Sequence, residues 1–179
     1  MIDAAILRLW TLRIAYVALC LAVMFFSLLP LDMTPGRVAG PDLIVALTFA
    51  WALRRPDVVP TLLVAAMALL ADLVFQRPPG LWAALTVAMT ESLKMRERYT
   101  REPAFALEWV SVTVGLIVMA LIYQIVQLLL IIPTANGTLL LMQTVLTVLV
   151  YPAVVAVSLV VFGLRRSRPG DGDRVGFGT

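Results

Sequence analysis

Val58–Phe75 reads VVPTLLVAAMALLADLVF, and after Gln76-Arg77-Pro78-Pro79-Gly80 a second apolar run begins at Leu81 and continues to Leu93. Two prolines followed by glycine end a helix and turn the chain, so the two runs fold back on each other as a helical hairpin. The first run carries one carboxylate, Asp72, about one helical turn before the linker. A charge there is costly in hydrocarbon, and the chain must have a use for it. The same alternation of apolar runs and charged loops continues on both sides, which makes this one hairpin of a polytopic, all-α integral membrane protein.

Composition supports that class. Hydrophobic residues make up 61% of the 179 residues, and the mean hydropathy of +0.97 lies far above that of soluble domains. The length is that of a single bundle. A net charge of +3 would suit nucleic acid, but the basic residues sit in short loops and form no single stripe, so nucleic acid is excluded as a partner. Histidine is absent, which removes the commonest general base and metal ligand. The one cysteine, Cys20, lies inside an apolar run and offers neither a disulfide framework nor zinc spacing.

Six spans follow from the pattern, at about 14–31, 42–54, 58–75, 80–94, 107–132 and 138–164, with 166–179 as a disordered cytoplasmic tail. The second is short: Leu43–Leu53 would rise only about 16 Å against a hydrocarbon core of roughly 30 Å. Either Asp42 and Arg54-Arg55 snorkel at its ends, the bilayer thins, or the segment is re-entrant. Charge distribution separates these. With six crossings Arg8, Arg13, Arg54, Arg55, the basic residues of the 94–101 loop and those of 165–174 share one side, and only Arg37 and Arg77 face the other. That is the positive-inside pattern, with both termini cytoplasmic in a bacterial inner membrane; a re-entrant second segment would destroy it. Trp10, Trp51, Trp82 and Trp109 all fall at span ends, where indoles favour the headgroup level.

The polar residues inside this nearly dry bundle are the candidates for function. Asp72 is either an interfacial carboxylate, paired with Arg77 across the turn or accepting from the next helix, or a partner or ligand contact on the periplasmic side. Gln124 and Gln127 share a face of the fifth span, and Gln143, Thr147 and Tyr151 recur every fourth residue of the sixth. These five form either an interhelical packing cluster or the wall of a polar cavity. Pro152 should kink the sixth span and leave a carbonyl to be satisfied locally. Glu91, with Lys94 and Arg96 nearby, is an interfacial ion pair or a contact for a cytoplasmic partner or anionic lipid. No phosphate loop, nucleophile elbow, metal cluster or paired catalytic acids are visible, so no catalytic residue, cofactor or metal is expected.

The run PDLIVALTFAWALRRPD followed by LLADLVFQRPPGLWAALTVAMTE resembles the rod shape-determining protein MreD family. The matching positions are Pro41-Asp42 opening a short second span, Asp72 late in the next, Gly80 in the turn, and Ala84-Leu85 beyond it. The Arg77-Pro78-Pro79 turn is stiffer and more basic than the family pattern. The resemblance implies the six-helix fold of the substrate-binding subunits of energy-coupling-factor transporters. It also implies a non-enzymatic component of the cell-elongation machinery, with an MreC-like periplasmic coiled-coil protein, an MreB-like filament and the RodA/transpeptidase pair as partners, besides membrane lipids. Asp42, Asp72, Arg77, Gly80 and Glu91 are the candidate partner-contact or packing residues. The rival from another class is a small-molecule, vitamin-type uptake subunit, which would need an enclosed pocket built from Gln124, Gln127, Gln143 and Tyr151.

Overall fold

Six helices run through the described part of the chain, which in this computed structural model is residues 2–29, 39–99, 105–130 and 137–163. They are α1 (Ile2–Leu28), α2 (Leu43–Arg54), α3 (Thr61–Val74), α4 (Leu81–Tyr99), α5 (Phe105–Leu129) and α6 (Gly137–Phe162), and no strand occurs among the described residues. By length and composition α1 (from Ile6), α5 and α6 can each cross a membrane, while α2 and α3 are apolar but shorter. The outward faces of the long helices are apolar too, with Ile14, Phe25, Val114, Leu121, Leu149 and Val160 all exposed. Such a surface suits lipid rather than water.

The shortest helix is the hub. Every residue of α2 from Ile44 to Arg54 is buried, with α6, α4 and α1 packed around it. A helix that is apolar on all faces is stable only when enclosed, and Ala46 and Ala50, both at 0% exposure, let neighbouring backbones come close. Asp42 and Arg54, expected to snorkel, are instead buried within the protein. α2 rises only about 18 Å, but protein surrounds it, and its terminal charges are met by other side chains.

The other helices differ from the sequence reading mainly at their ends. α1 starts at Ile2 rather than near residue 14, so Arg8 and Arg13 are helical, and Arg13 Nη2 donates to the Asp57 carbonyl at 2.9 Å. Leu12, Tyr16, Cys20 and Met24 recur every fourth residue and form its buried stripe, with the Tyr16 hydroxyl bonded to Thr48 Oγ1 at 2.8 Å. α4 runs on to Tyr99, drawing Lys94 and Arg96 out of the expected loop into the helix. Pro152 lies inside α6. The carbonyl it strands, that of Val148, accepts the Trp109 indole N–H from α5 at 3.0 Å, so the bond missing within α6 is replaced by one between helices. The far ends of the expected first, fifth and sixth spans and the 166–179 tail lie outside the described residues.

Candidate functional site

The buried acids gather in two centres, one where α3 turns into α4 and one at the opposite end of α2. The first is built on Asp42 and Asp72. Asp42 caps α2: its Oδ1 accepts from the Val45 N–H at 3.1 Å, which satisfies a donor that the first helical turn leaves free. Its Oδ2 accepts from Arg77 Nη1 at 3.0 Å and Trp82 Nε1 at 3.1 Å. The Asp42 N–H itself donates to Thr147 Oγ1 of α6 at 2.8 Å. One carboxylate thereby joins α2, the turn, α4 and, through its main chain, α6.

Asp72 does for α4 what Asp42 does for α2. Fully buried near the end of α3, it accepts from the Gly80 and Ala83 N–H groups, both at 3.0 Å, through Oδ2. A carboxylate also complements the positive end of the helix dipole there. The Asp72 carbonyl takes the Arg77 N–H at 3.0 Å and closes the linker. Gly80 has φ +87°, a left-handed conformation that glycine adopts without strain. Arg77 thus reaches past Asp72 to pair with Asp42, its guanidinium lying 5.2 and 5.3 Å from the Phe75 and Trp82 ring centroids. Trp82 meets Tyr123 of α5 edge to face at 5.1 Å.

Beside this lattice the bundle leaves open space. A half-open cleft of about 530 Å³ lies between the turn, α5 and α6, lined by Arg77, Tyr123, Gln124, Gln127 and Gln143 among others. On the other side of Arg77 a second recess of about 490 Å³ reaches down to Asp42, with Phe75, Arg77 and Gln143 common to both. What the arrangement can do chemically is bind: it offers amides, a phenol and an indole around a guanidinium already matched by a carboxylate. Among the described residues no three His, Cys, Asp or Glu side chains come together as metal ligands.

The second centre is closed. Arg54 and Glu108 form a two-pronged ion pair at 2.7 and 3.3 Å, their side chains 6% and 2% exposed. The Tyr151 hydroxyl donates to Glu108 Oε1 at 2.6 Å, and Arg54 also donates to the Ala50 carbonyl at 3.3 Å. Nearer the exposed edge, Glu91 accepts from Thr61 Oγ1 at 2.7 Å and Lys94 Nζ at 2.8 Å, while Lys94 also donates to the Val59 carbonyl at 2.7 Å.

This placement divides the five-residue cluster expected on α5 and α6. Gln124, Gln127 and Gln143 do line one cleft, Thr147 belongs to Asp42, and Tyr151 turns away from the glutamines to Glu108. Two of the tryptophans expected at headgroup level are buried in the protein. Trp51 is at 0% exposure with its N–H on Ser158 Oγ at 3.1 Å, and Trp82 is buried on Asp42. Glu108 was not singled out from the sequence. The signal was present, an acid one residue into an apolar run, the same oddity that marks Asp72. Compared with known proteins, the chain matches no family model, and no curated protein or solved structure resembles it closely enough to count as a match.

Proposed function

We propose that the chain is an MreD-type protein: a non-catalytic inner-membrane scaffold of the bacterial cell-elongation machinery that links peptidoglycan synthesis to an MreB- and MreC-like assembly. On this reading it crosses the bilayer six times with both termini cytoplasmic, in the fold of the substrate-binding subunits of energy-coupling-factor transporters. The Gly80 end then faces the periplasm. There it meets the MreC-like partner and the transmembrane RodA/transpeptidase pair, and the basic opposite end meets filament or anionic lipid.

The observation that carries this reading is how the acids of the Gly80 end are used. Both oxygens of Asp42 and one of Asp72 hold helix starts, Arg77 and Trp82 in a fixed relation. Carboxylates spent on geometry suit a surface of fixed shape, and pre-organisation of that kind lowers the entropic cost of partner binding. Co-purification from membranes with the MreC-like partner tests it. Asp72→Ala and Arg77→Ala should each reduce the recovered partner several-fold, whereas Glu91→Gln should not. An undiminished complex in both would remove this end from the interface. Accessibility labelling that found residue 98 outside the cell would overturn the topology.

The cleft favours a second reading, a vitamin-type binding subunit of a transporter. It is half-open, whereas carrier sites enclose most of their ligand. A metabolite retained through purification, together with a neighbouring gene for an energising ATPase, would favour that alternative.

A further inference from the structure

The chain contains four glutamines, Gln76, Gln124, Gln127 and Gln143. They come from three separate stretches, the α3–α4 turn, α5 and α6, and all four line the one cleft of about 530 Å³. Glutamine is a poor choice for an apolar bundle unless its amide has something to bond, because each amide brought out of water needs partners for a carbonyl and an NH₂ group. Here Gln127 is only 4% exposed, and Gln124 Oε1 is buried and accepts no hydrogen bond. Packing does not require the amides of Gln124, Gln127 and Gln143, since leucine would fill the same space without the cost of desolvation, while Gln76 reaches the cleft from the exposed turn. Their convergence therefore calls for a ligand with matching groups.

The charge of the cleft narrows the class. Among the described residues Arg77 is the one charged member of the lining, and its guanidinium is already paired with Asp42 at 3.0 Å. An ion entering would be desolvated without a free counter-charge from the described residues. A side-chain amide pairs best with a group that presents a donor and an acceptor side by side, as another carboxamide does. The Trp82 and Tyr123 rings supply apolar wall beside these amides, and the volume falls within the roughly 300–1,000 Å³ of small-ligand sites. We propose that this cleft binds an uncharged ligand bearing carboxamide groups, either the main chain of a polypeptide segment or a free amide-bearing molecule.

Because all four glutamines line the cleft, selective ¹⁵N-glutamine labelling makes it the sole source of side-chain amide signals. The full chain in phospholipid nanodiscs is titrated with N-acetyl-alaninamide, with its anionic analogue N-acetyl-alanine, with its cationic analogue alaninamide, and with the blocked tetrapeptide N-acetyl-tetraalanine amide. The neutral probes should shift the amide resonances saturably, and the charged analogues should bind at least about tenfold more weakly. Gln127→Leu should weaken neutral binding about tenfold while leaving the other three resonances dispersed, and Tyr123→Phe, which removes only a hydroxyl, should weaken it about threefold. A tetrapeptide that binds tighter than the single amide identifies a polypeptide as the source; one that is excluded while the single amide binds identifies a free small molecule. Absence of saturable shifts with both neutral probes, or charged analogues binding equally well, would overturn the assignment. No partner protein enters this assay, so its outcome is separate from that of the scaffold reading.

Discussion

The two polar centres use the same kinds of residue to opposite ends. At the Arg54 end a guanidinium, a carboxylate and a phenol meet one another deep in the bundle, and the guanidinium also reaches the Ala50 carbonyl. At the Gly80 end two carboxylates are spread over helix starts, a turn and an indole, and open space lies on both sides of Arg77. α6 serves both, sending Thr147 to Asp42 and, one turn later, Tyr151 to Glu108. The lesson is that an ion pair sealed on all sides fixes register, whereas carboxylates that satisfy main-chain donors leave neighbouring side chains to face a cavity. One end locks the bundle and the other presents it.

The sharpest way to break this contrast is to unpair the sealed centre. Glu108→Ala strands the Arg54 guanidinium, and unfolding in mixed micelles should show a loss of about 3–5 kcal/mol. The double variant Arg54→Met, Glu108→Leu should recover most of it, because the pair is worth little against apolar packing. A double variant as unstable as the single would mean that the centre contributes more than register. Next in size, Asp72→Ala deprives Gly80 and Ala83 of their acceptor and should cost about 1.5–3 kcal/mol. Hydrogen exchange should speed up at those two amides and stay unchanged around Arg54; acceleration at both ends would merge the centres into one cooperative unit.

Thr147→Val removes a single neutral acceptor from the Asp42 main chain, so about 1 kcal/mol is expected in the same assay. A loss as large as that of Asp72→Ala would show that the α2–α6 tie, rather than the α4 cap, organises the Gly80 end. Glu91→Gln should be smallest, below about 0.5 kcal/mol, because its side chain is more than a third exposed and screened. A larger effect would extend the sealed centre out to the surface.

Much of this architecture is legible in single stretches of sequence. The Pro-Pro-Gly linker and the apolar runs around it mark the α3–α4 hairpin, and Asp72 stands out because a carboxylate so placed needs donors. Pro152 marks a carbonyl that needs a partner, though not that Trp109 supplies it. Arg77, five residues from Asp72, invites pairing across the turn; the structure gives Asp72 to main-chain donors and Arg77 to Asp42, 35 residues away. The short second run reads as a marginal span because its length is judged against lipid, whereas protein encloses it.

The amino-acid order alone determined the helical class and where the helices lie, since hydropathy and turn chemistry act over neighbouring residues; that Arg54 and Glu108 are drawn inside it did not decide. Only the tertiary structure decided who meets whom: Arg54 with Glu108 over 54 positions, Asp42 with Thr147 over 105, and four scattered glutamines at one cleft. Helices this apolar carry almost no marked face, so their rotation about their own axes is set by packing against one another, and that rotation selects the polar partners.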